Sequence, residues 1–134
     1  MNEELWEKCV NYHGHHCPGL AIGVRASLEV IKALSLDLAT DDKIVCVAEN
    51  ESCCVDGIRV VLGCTGEKGI LFFIKGGKQA FSVFNQTTGA SIRLILKELP
   101  PMERDEMEAF LLNEPDATKL FNFEKPHFEL PEKA

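Results

Sequence analysis

Gly14 and Pro18 constrain this chain first, because each ends or starts a helix and only three residues lie between them. Before them, Leu5, Trp6, Cys9, Val10 and His13 recur at helical spacing, with Glu3 and Glu4 in the first turn, where the helix dipole favours acidic groups. The spacing predicts a helix over about residues 2–12 that ends at Gly14. Pro18 suits the first position of a second helix and makes Cys17 its N-cap. Leu20, Val24, Leu28, Ile31 and Leu34 form an apolar stripe along that helix, which should stop near Ser35. Arg25 and Glu29 read as an exposed i,i+4 pair on it. The chain must therefore turn sharply inside His13-Gly14-His15-His16-Cys17-Pro18-Gly19, a stretch holding three of the four histidines and one of the six cysteines.

Thr40-Asp41-Asp42 reads as a polar turn, and Ile44 to Ala48 as a β-branched, continuously apolar strand covered on both faces. Ser52 is placed to cap a third helix from Cys53 to Leu62, with Val55, Ile58, Val61 and Leu62 inward and Gly63 just past its end. Ile70 to Lys75 and Lys78 to Phe84 predict two strands joined by Gly76-Gly77 as a hairpin. Thr87 or Thr88 suits the cap of a fourth helix with Ile92, Ile95, Leu96 and Leu99 inward, stopped by Pro100-Pro101. Pro101 begins a further helix through Asn113, with Met107, Phe110 and Leu111 on its apolar side. Residues 114–134 read as an irregular extension, with Phe121, Phe123 and Phe128, that packs on the core or on a partner subunit. The order α-α-β-α-β-β-α-α predicts one α+β domain, residues 1–134, with helices packed on a small mixed sheet.

The 134 residues are 46% hydrophobic, enough for one real core. A net charge of -7 with scattered basic residues argues against nucleic acid and anionic membranes as partners. No apolar run approaches a bilayer span, and the acidic N-terminus does not read as a signal peptide, so a cytoplasmic protein is expected. In that compartment the cysteines read as free thiols or metal ligands rather than disulfides.

Three places could carry chemistry. A thiol at a helix N-cap, as expected for Cys17, is stabilised as thiolate, the form that binds metal or attacks an electrophile; His13 and His15 beside it can act as ligands or bases. The bland alternative is a simple capping cysteine with surface histidines. Cys53 and Asp56, three apart, share a helix face at the C-terminal end of the central strand, where Asp56 could orient a histidine or accept a proton. Gly63-Cys64-Thr65-Gly66-Glu67-Lys68-Gly69 is a glycine-rich loop with a thiol, a hydroxyl and an amine, but matches no P-loop. Cys9, Cys46 and Cys54 read as core packing residues. No Cys-x-x-Cys pair is present, so a metal site would have to be assembled from dispersed segments, with donors that suit zinc.

The segment from His13 to Arg25 closely resembles the signature of the FmdE family, named for formylmethanofuran dehydrogenase: Phe-His-Gly-His-x-Cys-Pro-Gly-Leu followed by Gly-x-Arg. Cys53-Cys54-Val55-Asp56 is similar to the family's Cys-x-x-Asp block, and Gly63-Cys64-Thr65 with Lys68-Gly69 to its Gly-Cys-Thr-x-Gly-Lys-Gly block. Tyr12, Glu67 and Ile70 depart from the pattern, and His16 occupies its variable position. The resemblance covers about residues 5–100. It implies a FwdE/GAPDH-domain-like α+β core, an intertwined homodimer and a bound metal, commonly zinc. It also implies a core-only member, since the paired cysteines of the C-terminal zinc ribbon carried by many relatives are absent after Cys64.

The resulting expectation is a zinc or other transition-metal site with His15, Cys17 and Cys53 or Cys64 as ligands. His13, Asp56 and Lys68 are expected to serve proton transfer or orientation of a small-molecule substrate. Two other readings stand beside it. One is a non-catalytic accessory that binds or delivers metal for a molybdenum or tungsten oxidoreductase; the other is a thiol redox protein using Cys17, Cys53 or Cys54.

Overall fold

The computed structural model describes residues 3–37, 41, 43–63, 69–74 and 76–126. The elements run α1 (Glu3–His13), α2 (Pro18–Ala33), β1 (Ile44–Ala48), α3 (Cys54–Leu62), β2 (Gly69–Phe73), β3 (Ala80–Asn85), β4 (Ser91–Leu96), α4 (Arg104–Asn113), a 3-10 turn (Ala117–Lys119) and β5 (Phe121–Glu124). The strands form one mixed sheet in the order β2-β1-β3-β4-β5, with only β1 and β2 parallel. This is the expected α+β class. Residues 64–68 of the glycine-rich loop, Cys64 and Lys68 among them, together with Thr40, Asp42, Lys75 and Phe128, lie outside the described residues.

The sheet is built around the apolar run. All five residues of β1 are buried, and the strand has neighbours on both sides, as a two-faced apolar strand requires. Ile44, Cys46 and Ala48 join Phe81, Val83, Leu94 and Phe121 in a core closed by α2, α3 and α4. By strand alternation Val47, Ser82 and Arg93 point to the opposite face. There Arg93 donates to both oxygens of Glu49, at 2.8 and 3.0 Å, and also to Glu124. These bonds, Glu49's first, raise the guanidinium's pKa, so its charge is locked on.

Several sequence expectations are corrected. Gly76-Gly77 is not a hairpin turn, because β1 lies between β2 and β3. The connection crosses the end of β1, where Ile74 N–H donates to Ala48 O and Lys78 N–H to Glu49 O. Local turn chemistry allowed a hairpin; the buried strand took both partners instead. The fourth predicted helix is β4, whose Ile92, Leu94 and Leu96 also alternate with period two. Its entry is a tight turn in which Asn85 Oδ1 accepts from Thr87 N–H at 3.0 Å and Gly89 adopts φ +80, open to few other residues. The tail is not wholly irregular, since β5 pairs with β4 and buries Phe121 in the core.

Arg25 and Glu29 are buried rather than exposed. Arg25 bonds Glu29 at 2.9 Å and donates to Leu111 O and Glu114 O, satisfying carbonyls left over at the end of α4. The crossing of α2 and α3 is closer still. A Cβ on Gly23 would lie 1.9 Å from Cys54 O, and one on Gly57 would lie 2.7 Å from Val24 N, so the two backbones touch. That contact brings the N-terminus of α3 beside the N-terminus of α2.

Candidate metal centre

Three helix ends meet at one point. His13 is the last residue of α1, Cys17 is the N-cap of α2, and Cys53 is the N-cap of α3. Gly14, at φ +101, turns the chain out of α1, and Gly14 N–H still donates to Val10 O at 2.7 Å. His15 stands on the bridge between α1 and α2. Cys17 is extended and its sulfur accepts from Leu20 N–H at 3.4 Å, so the expected thiol cap forms, with Pro18 at the first helical position. Ser52 is not the cap of α3; instead Asn50 Oδ1 accepts from Ser52 N–H and from the Ser52 hydroxyl.

His13, His15, Cys17 and Cys53 each offer a donor atom, and all four donors lie within 4.8 Å of one another. Around a tetrahedral zinc, bonds near 2.0 Å to nitrogen and 2.3 Å to sulfur put donors about 3.3–3.8 Å apart. A contraction of roughly 1 Å would therefore close them on an ion. The donor set, two imidazoles and two thiols, is chemically that of a zinc site. Burial first, and then the neighbouring Cys17, push the Cys53 thiol up. A cation between the two sulfurs opposes both effects.

The imidazoles are oriented for this. His13 Nδ1 bonds Asp56 Oδ2 at 2.7 Å, and Nε2 lies 3.9 Å from Cys17 Sγ. With Nδ1–H donated to the carboxylate, the Nε2 lone pair faces the thiols, in the manner of the carboxylate partners of metal-bound histidines. Arg59 Nη1 donates to the other oxygen of Asp56 at 3.2 Å and lies 5.9 Å above the Phe73 ring. His15 Nδ1 lies 3.3 Å from His16 O, which leaves Nε2 for the centre. The exposed His15 ring, 4.4 Å from that of His13, marks the solvent side. A cleft of about 240 Å³ opens on the outer side of Asp56, lined by Glu51, Ser52, Val55, Asp56, Arg59 and Phe73.

Of the residues singled out in the sequence, His13, His15, Cys17 and Cys53 are brought together, with Asp56 directly behind His13. Cys64 and Lys68 lie outside the described residues. Cys54, Cys46 and Cys9 are fully buried and are not among the four clustered donors, although Cys9 packs in the same apolar cluster as Cys17. His16 turns away, bonding Glu108 on α4 at 3.0 Å, a bond that raises its pKa. Arg59 was not singled out, although its i,i+3 spacing from Asp56 was a usable signal. Gly19 was also missed: a Cβ there would lie 3.0 Å from Cys53 Cβ, so any larger residue would press on Cys53.

Comparison with known proteins adds two findings. A family model described as FmdE, molybdenum formylmethanofuran dehydrogenase operon, matches residues 12–125. A probable S-adenosyl-L-methionine-binding protein of Archaeoglobus fulgidus is 29% identical over 87 residues. The aligned region is 62% of this chain but only 24% of that relative's length.

Proposed function

Because this chain belongs to the FmdE family, we propose that it is a metal-binding protein whose centre takes one zinc ion on His13, His15, Cys17 and Cys53. The observation that carries this is the meeting of four nitrogen and sulfur donors within 4.8 Å, with a carboxylate already bonded to the far nitrogen of one imidazole. When bound, zinc supplies Lewis acidity at any position left open to substrate or water. The protein's own part is to hold the His13 tautomer through Asp56, to fix Asp56 through Arg59, and to admit a small molecule on the exposed His15 side. Cys64, as a further ligand, and Lys68, in proton transfer, enter this proposal from the family resemblance alone. The protein works in the cytoplasm as a homodimer, in association with a molybdenum or tungsten oxidoreductase of the formylmethanofuran dehydrogenase type.

Elemental analysis of chain purified without chelator should find about one zinc per protomer, and Cys17→Ser should lose it. Equal metal content in the two proteins would sink the assignment. Light scattering at micromolar concentration should give twice the chain mass. The exposure of His15 also favours a second reading, in which the metal is delivered rather than used; fast exchange of the ion with a chromophoric chelator and co-purification with a large oxidoreductase would select it. Thiol redox chemistry at Cys17 and Cys53 is the third reading, and protection of both thiols from mild oxidation by bound metal would eliminate it.

A further inference from the structure

His16 leaves the cluster its neighbours form and meets a second, sulfur-free set of donors. One donor atom each from His16, Asp105 and Glu108 lies within 4.8 Å of the other two. Asp105 and Glu108 are three apart on α4 and so share a face. His16 Nδ1 and Glu108 Oε2 are already 3.0 Å apart, close to the separation of about 3 Å between adjacent ligands of an octahedral ion with bonds near 2.1 Å. Glu108 is held in place, its side chain only 14% exposed, whereas His16 is 60% exposed and open to solvent. The nearby Arg104 guanidinium donates to His16 O, which ties the backbone of this turn to α4. On the other side lies a cleft of about 550 Å³ between α1 and α4, lined by Trp6, Glu7, Val10, Asn11, His16 and Glu108, with room for the waters that complete such a shell.

We infer that His16, Asp105 and Glu108 form a second divalent-cation site, separate from the Cys/His centre. One imidazole with two carboxylates and no sulfur selects hard to borderline ions, manganese(II), cobalt(II) or zinc, over the soft ions a thiolate pair prefers. Its exposure makes it the weaker and more exchangeable of the two. An ion there would couple α4 to the turn that carries His15 and Cys17, giving residue 16 a role that the cysteine-containing centre does not require.

Manganese(II) alone is the probe, titrated into the full chain and followed by the loss of its free-ion electron paramagnetic resonance signal, with zinc-free protein and protein given one equivalent of zinc, which the tighter Cys/His centre takes first, as parallel samples. One manganese per chain should bind in both samples. His16→Gln and Glu108→Gln should each weaken it more than about tenfold, the lower end of what loss of even an outer-sphere partner costs. Asp105→Asn leaves the His16–Glu108 bond intact, and should still weaken manganese binding. Cys17→Ser should not. Failure of the wild-type chain to bind manganese, equal affinity in wild type and His16→Gln, or loss only in Cys17→Ser would each overturn the assignment. Because the readout is manganese, the result is independent of whether the Cys/His centre takes zinc.

Discussion

Asp56 carries the sharpest residue-level consequence, since one carboxylate joins an imidazole at 2.7 Å to a guanidinium at 3.2 Å. Asp56→Asn should lower zinc affinity by roughly 10- to 100-fold, measured by competition with a chelator, because the amide no longer favours the tautomer that presents Nε2. Arg59→Met should act in the same direction but less, as it leaves the His13–Asp56 bond in place. Gly19→Ala tests the geometry between the cysteines: with its Cβ 3.0 Å from Cys53 Cβ, zinc affinity should fall even where the fold is retained. The thiols should also separate by reactivity. Burial is the main cause raising the pKa values of Cys9 and Cys54, so at mildly alkaline pH both hold less thiolate and should resist iodoacetamide in the folded chain. Mass spectrometry of the alkylated protein checks this, and labelling of either as fast as in urea would contradict it.

Among the elements, the α2–α3 crossing matters most because it sets the distance between Cys17 and Cys53. Gly23→Ala would drive a methyl into Cys54 O, at 1.9 Å. The helices must part, at a cost of at least the roughly 1–3 kcal/mol of an overpacked core, read from urea unfolding. On the far side of the sheet, Arg93→Met would strand the buried Glu49 carboxylate without its bidentate partner. A loss of about 3–5 kcal/mol is expected from the same measurement, far more than an exposed ion pair would show.

At the scale of the whole molecule, the candidate centre depends on the relative placement of three helices. Any ion bound to it must therefore stabilise the folded chain, since the unfolded chain cannot assemble the donors. At free zinc about a thousandfold above Kd the gain is about 4 kcal/mol. Stripping the metal with a chelator should accordingly lower Tm by roughly 10 °C or more in a domain of this size, and Cys17→Ser should abolish the difference. A Tm indifferent to chelator would mean that no ion bridges these helix ends.

Much of this could be read along the chain, because its causes are local. Gly14 and Pro18 end and start helices by backbone geometry alone, so the junction of α1 and α2, the Cys17 cap and the crowding of imidazoles there were all legible. The length and β-branching of Ile44–Ala48 likewise implied a strand buried on both faces. Local signals failed where two readings were equally allowed: Gly76-Gly77 suits a hairpin, yet β1 inserts between the strands it would join, and the apolar residues of 91–96 fit either period until β3 and β5 pair with them on both sides. Cys53 and Asp56 were each visible as candidates, but their approach to Cys17 and His13 depends on two glycines, 34 positions apart in sequence, allowing α2 and α3 to touch. Which residue types crowd the first helix junction follows from chain order alone. That His13 joins Cys53 while His16 faces α4 follows from packing, because it rests on backbone contacts between segments remote along the chain.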